Sequence, residues 1–523
     1  MKNIFIYSEN NFFLNSISDV FKHKFKTCCI IAADYEIEKV KNNFKDNKVF
    51  SLKDFEKARS DQILHSNKNF IDRDFLKENE DIEILAYKML DFYNPGGCNF
   101  SFVEARKAYY EALNFSMNLI EKYKPDILFM TNTPHSFMGV IFSRLCEKRK
   151  IQFVFKRETT IPGLFYFQNN IFSKILPQTT ENHDDYFANE IFLELQDYYN
   201  RVLKKDTKYI KNIFKKSRSR FLLNSYLLKL NFLNINFIFF CIGNFSYRLL
   251  SESARIFFRF FKHLLKKNPL WLNPFSITED FFKIRNKKFF ESDHNSFRLM
   301  FNLFMGDLRK FRLLQSYRSI VSKISKGEKY IYFPLHYQPE ATTYPFGDCF
   351  IDQINAIKII SSVLPSDMKI YVKEHPDTFN IGRDGWVIGD YSRDANYYSD
   401  LIKINNVKLI SMDLESLELA DKSMGLATIN GAAGLEYAIN KKPVAFFGNS
   451  WLDRCPGIIH CRKMIDAKIF INECINPKKI IKDDEIVLFF KEWSNLLFSY
   501  KNINANSNKI KYIKNLFLNI ISS

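Results

Sequence analysis

Lys329-Tyr330-Ile331-Tyr332-Phe333-Pro334-Leu335 begins a series of short β-type runs that decides the fold, followed by KIYVKEH (369–375), VKLIS (407–411), LATIN (426–430) and PVAFFG (443–448). The runs are largely apolar, and helix-like sequence such as Asp348 to Val363 and Leu414 to Lys422 fills the gaps. Apolar strands alternating with helices are what a parallel sheet covered on both faces requires. An α/β domain is therefore expected over residues 328–475. Toward the N-terminus the pattern recurs in NIFIYSE (3–9), TCCIIAAD (27–34), DILFMTNT (126–133) and QFVFKRE (152–158), which predicts another α/β domain over residues 1–175. Between them, residues 176–327 form a basic, aromatic helical insert, and residues 476–523 are expected to be helices ending in KIKYIKNLFLNII. Two doubly wound Rossmann-type domains in tandem face each other across a cleft, so the informative residues should lie just after strands.

The 523 residues are 46% apolar and 26% charged, a globular balance far from that of disordered chains. Heavy use of Phe (55) beside scarce Gly (16) and Pro (15) looks like a coding bias as much as a design. The nine cysteines are scattered, without a C-x-x-C pair or His partners at zinc spacing, which excludes a disulfide framework and a zinc module. The N-terminus MKNIFIYSEN enters a strand before any apolar stretch reaches signal-peptide length, so residence in the reducing cytoplasm is expected.

The net charge of +18 is not spread evenly. Residues 201–330 hold about 28 Lys and Arg against about 8 Asp and Glu, which leaves the rest of the chain nearly neutral. Within that region FIFF (237–240), IFFRFFKHLLKK (256–267) and FFKIRNKKFF (281–290) interleave aromatic and basic residues. Such segments suit an amphipathic surface held against anionic lipid; ordinary helices with solvated lysines are the plainer alternative. No nucleic-acid motif accompanies the charge, and no nucleic-acid partner is expected. The longest uncharged stretch, Leu230 to Tyr247, carries four asparagines, which argues against a transmembrane span.

Three post-strand segments concentrate chemistry. The first, His336-Tyr337-Gln338-Pro339-Glu340, packs an imidazole, an amide and a carboxylate onto one turn, which offers acid/base work or a simple helix-capping turn. Next, Lys373-Glu374-His375-Pro376 ends a strand, and the proline holds His375 extended with its imidazole at the strand end, where it can meet a phosphate or merely pack. Third, Asn430-Gly431-Ala432-Ala433-Gly434-Leu435-Glu436 opens a helix with small residues, so that bare N–H groups and the helix dipole form a phosphate seat, or the small residues serve close helix packing. Glu436, one turn in, either reaches ribose hydroxyls or complements the dipole. In the first domain Glu158 ends a strand beside Lys156 and Arg157, as a base for an acceptor hydroxyl or as half of an ion pair, while Asn132, Thr133 and His135 line the acceptor side.

In that order and spacing, YFPLHYQPEATT, VKEHP and TINGAAGLEYAINKKPVAFFG resemble the C-terminal half of bacterial capsule and surface polysaccharide biosynthesis proteins, GT-B glycosyltransferases related to the Kdo transferases of capsule assembly. The resemblance implies a GT-B-like α/β fold in which His375 and Pro376 contact the nucleotide of a CMP-activated sugar, while Asn430, Gly431, Ala432 and Glu436 hold phosphate and ribose. Relatives often carry Ser or Thr hydroxyls in the turn; here Gly431, Ala432 and Ala433 leave phosphate binding to the backbone.

The function expected is that of a metal-independent glycosyltransferase, without a cofactor, moving a sugar such as a 2-keto sugar acid from a CMP-linked donor onto a lipid-linked or polysaccharide acceptor. Gln338, His375, Pro376, Asn430, Gly431, Ala432, Gly434 and Glu436 would hold the donor. Glu158 or Glu340 would deprotonate the acceptor, and Lys373 and His336 would offset charge on the leaving phosphate. The insert would place the enzyme peripherally at the inner face of the cytoplasmic membrane. Transfer of glycerol phosphate or a phosphoramidate-type group onto capsule, and a non-catalytic membrane-bound assembly factor, are the alternatives.

Overall fold

The computed structural model describes residues 1–18, 21, 25–52, 55, 68–90, 102–170, 185–206, 309–310, 312–338, 340–379, 393–478 and 480–500. Most of the basic insert, with its aromatic runs, lies outside the described residues, as does the end of the chain from residue 501.

The N-terminal sheet is built from β1 (Lys2–Ser8), β2 (Phe25–Ala32), β3 (Val49–Ser51), β4 (Ile127–Met130), β5 (Gln152–Glu158) and β6 (Leu164–Gln168). The C-terminal sheet holds β7 (Lys329–Pro334), β8 (Met368–Lys373), β9 (Val407–Leu409), β10 (Gly425–Thr428), β11 (Val444–Phe446) and β12 (Ile458–His460). A last short strand, β13 (Phe498–Ser499), returns to the N-terminal sheet, whose order is β13-β6-β5-β4-β1-β2-β3; the other runs β12-β11-β10-β7-β8-β9. Every pairing is parallel except β5 with β6 and β6 with β13. The fold is thus α/β, with two Rossmann-type sheets.

Apolar burial on both faces explains the parallel pairing. β4 is fully buried, with Leu128 and Met130 in the core on one side and Ile127 and Phe129 in that on the other. β7 divides likewise: Ile331 and Phe333 face one core, Tyr330 and Tyr332 the other.

Two stretches differ from the sequence expectation, the one after Asp348 and the C-terminal tail, while the described ends of the insert are helical. The stretch expected to be one helix from Asp348 is a 3-10 turn, Asp348–Ile351, then a helix Gln353–Val363 capped by the Asp352 side chain. The insert begins with the helix Asp185–Leu203, whose Ile191, Leu195, Tyr198 and Val202 join a core shared with the C-terminal domain. At its other end Leu313, Leu314 and Tyr317 join the second core of that domain. The described part of the C-terminal tail holds the helix Asp483–Ser494 and then β13, so it finishes on the first domain's sheet.

Direct contacts fasten the domains together. Arg157 donates from Nη2 to the Asn449 carbonyl oxygen at 2.7 Å, and its guanidinium lies 3.4 Å from the Phe346 ring centre. Tyr344 donates its hydroxyl to the Leu85 carbonyl at 2.8 Å, and Trp451 Nε1 donates to Thr160 Oγ1 at 3.3 Å.

Candidate active site

In each sheet the first strand lies centrally, and the chain winds outward on either side of it. In the C-terminal sheet the winding reverses between β7 and β10, and such switch points open a crevice at the strand C-terminal ends. His336 leaves β7 there and Asn430 leaves β10.

These two loops are stitched by hydrogen bonds. The Thr428 hydroxyl lies 2.9 Å from His336 Nε2, and the Asn430 N–H donates to the same nitrogen at 3.3 Å. The Gly431 N–H donates to Thr428 Oγ1 at 3.3 Å. Nε2 therefore accepts, and the ring proton belongs on Nδ1. Burial, helped by the positive charges of His375 and Arg393, brings the His336 imidazole down to about 3. His336 is thus neutral at physiological pH. It organises the turn, whereas the sequence reading gave it a charge-offsetting role. Gly431 has to be glycine for this approach: a Cβ would stand 2.9 Å from Thr428 Oγ1 and 3.1 Å from His336 Cε1.

With Asn430 and Gly431 occupied internally, the phosphate seat expected of the whole turn narrows to two amides. Ala432 caps the helix Ala433–Ile439 in helical conformation without a side-chain bond. Among the described residues the N–H groups of Ala432 and Ala433 meet no acceptor, and both residues are only half-buried. Gly434 is not part of the seat. A Cβ there would fall 2.4 Å from the Phe446 ring, so this glycine lets the helix press onto β11.

Lys373, at the end of β8, donates from Nζ to the Leu414 carbonyl at 2.8 Å and meets Ser416 Oγ at 3.0 Å. Burial pulls its ammonium down to about 8 against the nearby carboxylates Glu415, Asp413 and Glu436. Glu436 is buried in the first helical turn; burial pushes its carboxyl up to about 7, with Lys373 opposing. His375 is half-buried, with its ring centre 6.0 Å from that of Tyr337, and its backbone N–H donates to Glu374 Oε1 at 2.7 Å. Pro376 opens the 3-10 turn Pro376–Phe379.

Other expected residues go elsewhere. Gln338 is buried in an internal network: its Nε2 donates to the Ile351 carbonyl at 2.7 Å, and its Oε1 accepts from Gln353 at 2.9 Å and Arg393 at 2.6 Å. This holds the loop rather than a ligand. Glu340 has an exposed side chain, and its carbonyl receives the Thr343 and Tyr344 amides. Glu158 lies in the other domain, 3.0 Å from Lys156 Nζ and 2.9 Å from the Tyr500 hydroxyl. Partial burial raises its pKa, but Lys156 and Tyr500 outweigh this and hold the carboxyl below the usual range. As the anionic half of an ion pair, Glu158 is a weakened base.

Sequence reasoning missed the clamp behind the site. Arg393, fully buried, donates from Nε to Glu374 Oε2 at 2.9 Å, from Nη1 to Gln338 Oε1 and from Nη2 to the His336 carbonyl at 2.9 Å. Glu374 also accepts from Tyr398 at 2.7 Å and Thr378 at 3.1 Å. Nothing in the local sequence marks Arg393. Glu374 was visible only as a neighbour of His375.

Among the described residues no helix is long and apolar enough to cross a membrane. No curated protein matches the chain in sequence. Among solved structures it is similar at low TM-score to KpsC, a beta Kdo 2,7 transferase of Thermosulfurimonas dismutans, with 10% identity over 99% of this chain and 100% of that one and a TM-score of 0.31. A UDP-GlcNAc 2-epimerase of Methanocaldococcus jannaschii is similar at 12% identity over 92% and 94% of the two chains, with a TM-score of 0.21. These scores add nothing to the fold given by the two sheets. A family match is more local: it begins beyond the His336 loop and takes in VKEHP and the 430–436 turn. Over residues 350–479 the chain matches the family described as capsule polysaccharide biosynthesis protein.

Proposed function

We propose that this protein is a glycosyltransferase of capsule or surface polysaccharide assembly that binds a nucleotide-activated sugar at the β7–β10 switch point. One observation carries the reading: two N–H groups, on Ala432 and Ala433, meet no acceptor among the described residues and open a helix whose Glu436 interacts with Lys373, inside the segment that matches a capsule biosynthesis family. Adjacent main-chain donors at a helix start form a seat for an anionic phosphate. Lys373 and His375 approach the seat from the end of β8, beyond β7, and Glu436 reaches the ribose with its carboxyl raised to about 7. The donor is CMP-linked and the sugar a 2-keto sugar acid, in keeping with the family resemblance. Protein groups rather than a metal offset the leaving phosphate, so EDTA leaves the rate unchanged. The basic insert holds the enzyme at the inner membrane face, where lipid-linked acceptors reside.

Calorimetry with CMP, CDP, UDP and GDP tests the seat. Ala432→Pro suits the φ of −56° and deletes one N–H. Loss of a hydrogen bond to a charged phosphate, about 1.5–3 kcal/mol, should weaken nucleotide binding by about tenfold to a hundredfold with the melting temperature unchanged. Unaltered affinity in Ala432→Pro, or no affinity for any nucleotide in the wild type, sinks the assignment. Turnover of CDP-glycerol alone would favour glycerol-phosphate transfer.

A further inference from the structure

The N-terminal sheet has its own switch point, between β1 and β4. The residues that leave those two strands form a pair that the donor site does not use. His135 stands just before the helix Phe137–Lys148, with Nδ1 2.7 Å from the Thr133 carbonyl oxygen and 3.6 Å from Glu9 Oε2. Carbonyl and carboxylate oxygens only accept, so the neutral ring carries its proton on Nδ1 and keeps a lone pair on Nε2. Among the described residues Nε2 meets no partner, and the His135 side chain is 40% exposed while Glu9 is only 14% exposed.

Glu9 is held from behind. The Tyr7 hydroxyl donates to its Oε1 at 3.2 Å and lies 3.1 Å from the Ser136 hydroxyl, which accepts the Gly139 N–H. The Tyr35 hydroxyl donates to the Glu9 carbonyl at 2.8 Å. A carbonyl that fixes the tautomer of an accessible imidazole, with a carboxylate beside the same nitrogen to balance its charge, is the arrangement a general base requires.

We propose that His135, oriented by the Thr133 carbonyl and with Glu9 beside it, is the general base that activates the acceptor hydroxyl. This rests on the glycosyl-transfer reading above. As the acceptor oxygen bonds to the anomeric carbon of the donor, its O–H bond breaks and the proton passes to His135 Nε2. The bond from that carbon to the donor phosphate oxygen breaks, and the phosphate leaves with the electron pair. Glu9 balances the imidazolium until it releases its proton to water.

The full-length chain is assayed with CMP-, CDP-, UDP- and GDP-linked sugars and a detergent-solubilised glycolipid fraction as acceptor, following sugar incorporation, with nucleotide binding measured in parallel. His135→Gln should lower incorporation by about 10²- to 10⁴-fold and leave nucleotide affinity unchanged. Glu9→Gln should lose rate but not affinity, and the ¹⁵N resonances of the His135 ring should show the proton on Nδ1 in the wild type and, held there by the Thr133 carbonyl, in this variant too. A wild type that binds nucleotide while His135→Gln transfers at the normal rate overturns the base alone, as does a wild-type ring protonated at Nε2. A wild type that binds no nucleotide overturns the donor site and the base with it.

Discussion

Glu436 is a carboxyl that the fold keeps from ionising where an ordinary glutamate, near 4.3, would already be charged. Burial raises it to about 7, so the folded state holds a proton that the unfolded chain releases. Its contribution to stability is therefore full below about pH 4.3 and is lost as the pH rises through 7. Glu436→Gln cannot ionise. Its stability relative to the wild type should climb between about pH 4 and 7, by on the order of 3 kcal/mol, and then level off. Denaturant melts at pH 4, 6 and 8 check this, and parallel profiles would show that the carboxyl is not raised. The motif residues around Glu436 were legible because short post-strand segments such as the 430–436 turn announce themselves. Arg393 was not: its partners Gln338 and Glu374 come from two other loops, and a buried ion pair assembled across loops leaves no periodic trace. The roles of Gln338 and Gly434 were misjudged for a related reason, since a buried amide and a close-packing glycine look in sequence like ligand groups.

At the level of elements, the central strands were readable because burial on both faces leaves an unbroken apolar run, as in Ile127–Met130. β6 carries it too, in LFYFQ (164–168), and lies inside β13 in the sheet. β6 was missed although Pro162-Gly163 marks the turn before it, with Gly163 at φ 89° and the Thr159 N–H donating to the Leu164 carbonyl at 2.9 Å. The site turn depends on how closely the helix Ala433–Ile439 approaches β11, and Gly434 sets that distance. Gly434→Ala forces a methyl against the Phe446 ring and should cost about 1–3 kcal/mol. Because the helix must tilt to make room, nucleotide affinity should fall as well. Urea melts and calorimetry on one preparation test both, and a stable variant with normal affinity would show that the seat does not depend on this packing.

Across the whole molecule, the two domains are tied together because polar groups of each bond to the other. Arg157 supplies donors to Gln168 of its own domain and to the Asn449 carbonyl of the other while stacking on Phe346. Arg157→Met keeps the apolar stem but removes both charge-assisted hydrogen bonds, at about 1.5–3 kcal/mol each. The variant should melt in two calorimetric steps where the wild type melts in one, and a single unshifted transition would show that the domains are held by other means. The same interlocking has a temporal side. The edge of β6 stays without its neighbour until β13 emerges from the ribosome, roughly 330 residues and some 15 to 65 seconds later at ordinary elongation rates. During that wait a nascent chain exposes an open ladder edge, the kind of surface on which polysomes seed aggregates and which trigger-factor-like chaperones shield.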